Sequence, residues 1–198
     1  MNDMIKEAGI DQIEERLGDL RRKAPAILKA SINETTRFAK KKVSAEIKKK
    51  YAINQRKVNI TEKLAVKTAR MGDMSGIVSS KGPRISRRYF TYTAQKKGIK
   101  SKIYRNETPE ILKNEYGKAF INNLSSEWAR ADISDIKQII MRSTRKRLPI
   151  VKQTGPSVSH MIKGVINVTD PEITRTLEEA INRRIERTLK NDTTHITG

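Results

Sequence analysis

The stretch Arg-Lys-Arg-Leu-Pro-Ile-Val-Lys-Gln-Thr-Gly-Pro-Ser-Val, residues 145–158, joins a basic cluster to a short apolar segment and a rigid turn. Pro149 has a fixed φ angle and no backbone N–H, so residues 148–151 suit an edge strand or the start of a strand. Gly155 and Pro156 indicate a turn directly before Ser157. The stretch therefore predicts a shaped surface feature, and it contains no catalytic motif.

A helix is predicted on the C-terminal side of this stretch. Asp170 suits the capping position, and Pro171 suits the first helical position, where its missing N–H is harmless. The apolar residues that follow recur at helical spacing on one face: Ile173, Leu177, Ile181, Ile185 and Leu189. We predict a C-terminal helix that ends near Lys190 and a flexible tail over residues 191–198.

Long helices are also predicted at the N-terminus. Residues 1–24 form an acidic amphipathic helix or arm, and residues 21–25, with Pro25, are expected to break it. Residues 26–50 then combine an apolar stripe with a very basic outer face. The arm either packs with a solvated face or docks on a basic patch of a neighbouring copy.

The middle of the chain reads as short strands separated by turns. Alternating or apolar runs predict strands at residues 63–71, 76–80, 84–92, 99–105 and 136–141. Residues 106–134 have no clear pattern. The sequence therefore predicts an α+β fold with long N-terminal helices, a small, mainly antiparallel β-sheet and a C-terminal helix. Residues 25–190 are expected to form a single domain.

Charge limits the classes of partner. The chain of 198 residues has a formal net charge of +20, which implies a polyanionic partner: nucleic acid, an acidic protein surface or an anionic membrane. It contains no cysteine, in keeping with a reducing cytoplasm, and no apolar run long enough for a membrane span. The candidates for facing a polyanion such as DNA are Lys40, Lys41, Lys42, Lys48, Lys49, Arg84, Arg87, Arg88, Arg145, Lys146 and Arg147.

Enzyme signatures are absent from the sequence. There is no Gly-x-Ser-x-Gly elbow, phosphate loop or His-Glu-x-x-His motif. The acid-x-Lys triplet at residues 135–137 is typical of metal-dependent nucleases, but its upstream partner would be Glu110, which departs from that pattern. We therefore predict no enzymatic activity, no cofactor and no metal site.

The 145–158 stretch resembles the minor tail protein Z family of tailed bacteriophages. In that family a Leu-Pro-Ile segment follows a basic strand and leads to a Gly-Pro-Ser-Val turn. The residues that match are Leu148, Pro149, Ile150, Gly155, Pro156, Ser157, Val158 and Met161. The order of the other segments is also similar, including a Gly-Lys-Ala-Phe-Ile segment at residues 117–121. Residues 122–134 depart from the family's basic, Gly-containing hairpin because they carry Trp128 and acidic residues.

The resemblance implies a structural role at the head-proximal end of the phage tail. The chain would complete the tail as a ring, expected to be hexameric, that contacts the tail terminator and tail tube proteins. The DNA end and the tape measure protein are further candidate partners, and no membrane is involved. The eight matching residues are the expected protein interface. The alternative from another class is a sequence-nonspecific nucleic-acid-binding protein.

Overall fold

The fold is α+β, as the sequence predicted. It is seen in a computed structural model that describes the backbone of residues 2–54, 56–124, 136–146 and 149–194, and the side chains of residues 18, 20–54, 56–121, 138–146 and 149–190. A long helix begins the described chain, small sheets follow, and a second long helix ends it.

Helix α1 extends over Asn2–Lys50 without interruption. The predicted break at residues 21–25 is therefore wrong, and the predicted boundary of an arm at residue 24 falls inside the helix. Pro25 deprives the carbonyl of Arg21 of its helical donor. Both residues are exposed, so water can satisfy that carbonyl and the helix continues.

Helix α2 extends over Val158–Thr194, so it begins twelve residues before the predicted cap at Asp170. Its first turn is capped by Ser157, whose Oγ accepts the backbone N–H of His160 at 3.2 Å. Pro171 lies inside the helix on an exposed position, where the carbonyl of Asn167 can turn to solvent instead. The prediction of Asp170 and Pro171 as a helix start is thus wrong. Neither described helix has a stretch long and apolar enough to cross a bilayer.

The strands form four small sheets in the described chain, and every register determined is antiparallel. The strands are β1 Ala65–Lys67, β2 Ile77–Ser79, β3 Tyr92–Gln95, β4 Gly98–Ser101, β5 Glu110–Ile111, β6 Lys113–Asn114, β7 Gly117–Lys118, β8 Phe120–Leu124, β9 Ile136–Arg142 and β10 Ile150–Lys152. One sheet has the order β3-β4-β5, another β10-β9-β8, and two have only two strands, β1-β2 and β6-β7.

The strand predicted at residues 84–92 is wrong. Arg87–Tyr89 is a short 3-10 helix instead. The segment makes only one isolated antiparallel bridge to residues 153–156, at Ser86↔Thr154, with the N–H of Ile85 bonded to Pro156 O and that of Arg87 to Gln153 O. Phe90 is buried at the end of the segment. The alternation of Arg and aromatic residues therefore reflects a loop folded around one buried ring.

The chain divides into two compact units rather than an arm and one domain. The first comprises Met1–Lys41, Ala65–Val78 and Asn167–Gly198, and the second comprises Lys42–Leu64 and Ser79–Ile166. Small residues dominate the buried positions of the first unit, among them Ser31, Thr35, Ala39, Ala69, Thr169 and Ala180. The second unit buries the large side chains, among them Ile47, Tyr51, Ile60, Leu64, Phe90, Ile139 and Met161.

Candidate functional site

The segment that resembles the tail protein family begins as an edge strand. Pro149 is exposed, and its carbonyl accepts both the N–H of Ser143, at 3.2 Å, and the hydroxyl of Ser143, at 3.0 Å. β10 follows directly and pairs with β9 through Ile150↔Arg142. In the described chain no strand pairs with the other edge of β10. The predicted edge strand is confirmed, although Leu148 lies outside the described residues.

The second half of the segment belongs to the interior of its unit. Gly155 is buried, and its N–H donates to Ile85 O at 2.8 Å. Val158 and Met161 are 5% and 0% exposed. Side chains that are already buried offer no surface to another chain, so the interface assignment of Gly155, Val158 and Met161 is corrected. Pro156 and Ser157 are half-buried, and Ile150 is half-buried in β10.

Two exposed apolar residues of the β10-β9-β8 sheet were not among the predicted site residues. Val151 on β10 is 49% exposed, and Phe120 on β8 is 39% exposed. Their cross-strand partners are Met141 and Ile140, which are neighbours along β9. Because successive residues of a strand point to opposite faces, Val151 and Phe120 lie on opposite faces of the sheet. The apolar sequence Leu-Pro-Ile-Val of this edge strand could have indicated Val151 as an exposed apolar residue.

The lysines predicted on α1 differ in their contacts with other described residues. Lys42 and Lys49 lie 3.8 and 2.7 Å from Glu46 Oε1. The hydrogen bond from Lys49 is the largest cause that lowers the pKa of Glu46. Lys48 donates to Thr61 Oγ1 at 3.3 Å. Lys41 is exposed and Lys40 is half-buried.

The arginines of residues 84–88 also differ in role. Arg84 is exposed. Arg87 Nε donates to Ser101 Oγ at 3.0 Å, and burial lowers the pKa of the Arg87 guanidinium. Arg88 lies over the ring of Tyr89, 4.5 Å from its centroid, and donates to its hydroxyl at 2.8 Å. Arg87 and Arg88 are half-buried, so Arg84 is the most exposed of the three. Arg145 and Lys146 are exposed, and Arg147 lies outside the described residues.

A basic cleft of about 280 Å³ lies beside Arg84 in the second unit. Among the described residues that line it are five cationic side chains and no acidic one: Lys57, Lys63, Lys81, Arg84 and Lys152. Of these five, only Arg84 is among the residues predicted to face a polyanion. No local pattern connects the others, because they lie in separate loops and strands that the fold brings together.

The described residues contain no group of three acidic or histidine side chains that could hold a metal ion. His160, on the first turn of α2, is exposed. Comparisons with models of known protein families, with curated proteins and with solved structures found no match.

Proposed function

We propose that the protein is a structural component of a bacteriophage tail, a minor tail or tail completion protein at the head-proximal end. It would be assembled in the cytoplasm of the bacterial host and carried in the tail of the virion. Its proposed partners are further copies of itself in a ring, the tail terminator and the tail tube proteins, with the tape measure protein or the DNA end as additional neighbours. The support from sequence is the resemblance over residues 148–161.

The observation that carries the proposal is the pair of exposed apolar residues on the outer strands of one sheet. Val151 and Phe120 lie on the two outer strands and on opposite faces. A closed ring is built from heterologous contacts, which require two different surfaces on each copy. An open strand edge with exposed apolar residues is a common place for such a contact. The two surfaces therefore suit a copy that has a neighbour on each side.

The test is a phage strain that lacks this protein. Electron microscopy of its particles, with mass spectrometry of wild-type tails, measures assembly and location together. We expect tails that form but do not join heads into infectious particles, with the protein present in wild-type tails. Normal infectious virions, or wild-type tails without the protein, would sink the proposal.

The alternative function is sequence-nonspecific nucleic-acid binding, which the net charge of +20 and exposed cations such as Lys41 and Arg145 favour. Its mark would be a monomer that binds duplex DNA tightly without a tail partner, with an affinity that falls steeply as salt rises. If the protein is such a monomer and the deletion strain forms normal virions, nucleic-acid binding is the function and the tail role is rejected.

A further inference from the structure

The basic cleft combines cations from distant parts of the second unit. Lys57 and Lys63 come from the segment after α1, Lys81 and Arg84 from the loop after β2, and Lys152 from the end of β10. All five side chains are exposed, and none forms an ion pair with a described residue. Cations gathered without a counter-charge repel one another, and a bound anion relieves that repulsion.

Two neutral features of the lining also favour an anion. The hydroxyl of Tyr89 accepts a hydrogen bond from Arg88, so its own O–H remains available to donate. Val158, the first residue of α2, is part of the lining. A helix N-terminus carries a partial positive charge, so this end of a 37-residue helix adds to the field in the cleft.

The size of the cleft limits what it can hold. At about 280 Å³ it lies just below the range of roughly 300–1,000 Å³ that is usual for drug-sized ligands. A compact, multiply charged group fits this volume better than a large planar one. Phosphate is such a group, and lysine and arginine are its usual side-chain ligands.

We propose that the cleft of Lys57, Lys63, Lys81, Arg84 and Lys152 is a phosphate-binding site. The phosphate belongs to a nucleic-acid backbone or to a free phosphorylated small molecule, since both present the same group to the cleft. This proposal does not depend on the tail role, because it is argued from the cations of the cleft and is tested with purified protein.

The experiment compares two triple variants that lose the same charge. The cleft variant replaces Lys57, Lys81 and Lys152 by Gln. The control replaces Lys96, Lys97 and Lys113 by Gln as well; these are exposed residues of the same unit outside the cleft. Circular dichroism and thermal melting verify that both fold. Binding of a short labelled DNA duplex is measured by fluorescence anisotropy at several salt concentrations, and binding of pyrophosphate by the shift of the melting temperature.

Three outcomes distinguish a site for a nucleic-acid phosphate, a site for a free phosphorylated molecule and the absence of a phosphate site. If the cleft variant binds duplex about tenfold or more weakly, and its slope of log affinity against log salt is smaller by about 2 to 3 than that of the control, the site holds a nucleic-acid phosphate. If only the cleft variant loses stabilisation by pyrophosphate while both variants bind DNA equally, the site takes a free phosphorylated molecule. Equal behaviour of the two variants with both probes overturns the proposal.

Discussion

Gly155 shows how a single residue permits close packing of the segment that precedes α2. Its backbone approaches the ring of Phe90 so closely that a Cβ atom there would lie 2.5 Å from Cε2 and 2.6 Å from Cζ. Phe90 is 1% exposed, so the ring has no free space into which it can move. The glycine is required for close packing, and it brings the edge strand and the helix start into one compact unit.

Gly155→Ala is therefore expected to destabilise the protein by about 1–3 kcal/mol, the usual cost of overpacking a core. Urea unfolding followed by circular dichroism measures this change. Gly82→Ala is the matched control, because no heavy atom lies within 4 Å of a Cβ there. It should be neutral, or stabilising by up to about 1 kcal/mol through the lower entropy of the unfolded chain. Equal stabilities of the two variants would contradict the packing argument.

At the residue scale, the sequence predicted the role of a proline better than that of a glycine or of a buried side chain. Pro149 was assigned correctly to an edge strand, because its fixed φ angle and missing N–H act wherever it occurs. The segment predicted as a turn at Gly155 and Pro156 instead pairs with Ile85 across the Ser86↔Thr154 bridge. Met161 was assigned to an interface, yet it is fully buried. Whether an apolar side chain meets its own chain or another depends on distant residues, which local pattern does not report.

The start of α2 shows the same difference at the scale of elements. Residues 170–189 have the local pattern of a helix start, with a capping residue, a proline at the first helical position and an apolar stripe, so the sequence predicted the start there. Ser157 supplies the cap that is used, and Asp170 is exposed in the middle of the helix. Helix periodicity is a local property that the sequence shows directly. The residue at which the helix starts depends on the contacts of the segment before it.

This assignment predicts opposite effects for two alanine substitutions. Ser157→Ala removes the acceptor for the His160 N–H and should cost about 1 kcal/mol. Asp170→Ala should be neutral, or stabilising by up to about 0.7 kcal/mol, since alanine is the better helix former. Thermal and urea unfolding of both variants provide the comparison. A costly Asp170→Ala beside a neutral Ser157→Ala would place the helix start at Pro171 after all.

Within the first unit, Glu34 of α1 is bound by two arginines of α2. Arg183 and Arg184 both donate to its carboxylate, the latter at 2.7 Å. The hydrogen bond from Arg183 is the largest cause that lowers the pKa of Glu34. Since the pKa is lower in the folded state, the stabilisation is complete above the unfolded value, about 4.3, and is lost as pH falls through the folded value.

Glu34→Gln should therefore destabilise the protein at neutral pH and have little effect in strong acid. The Glu34 side chain is 40% exposed, so solvent screening limits the loss to about 1 kcal/mol or less. Unfolding by urea across the acid range measures the two curves, which should converge at low pH. Glu179→Gln, in an exposed pair within α2, is the control and should change stability less. Parallel curves for wild type and Glu34→Gln would contradict the ion-pair assignment.

At the scale of the whole molecule, the sequence predicted the fold class and the presence of basic surface, but not where cations gather. Net charge is a sum over the chain and needs no structure to evaluate. The cleft, by contrast, joins residues as far apart as Lys57 and Lys152, which become neighbours only when the sheet and loops are in place. The sequence also did not predict that α1 is divided between the two units, because its helical pattern continues across the division.

The last prediction concerns self-association. If the outer strands form the contacts between copies, the double variant Val151→Lys and Phe120→Lys should sediment as a monomer at concentrations where the wild type associates, because burying a lysine at an apolar contact is unfavourable. Analytical ultracentrifugation over a range of concentrations measures this.

Val168→Lys is the control, since Val168 is 66% exposed and lies on α2 in the first unit, whereas the sheet belongs to the second unit. It adds a charge of the same kind and should leave association unchanged. Association that survives in the double variant and disappears at high salt would show that charge carries the contact instead. In that case the acidic N-terminal part of α1 on one copy and the basic surface of the next would become the pair to vary.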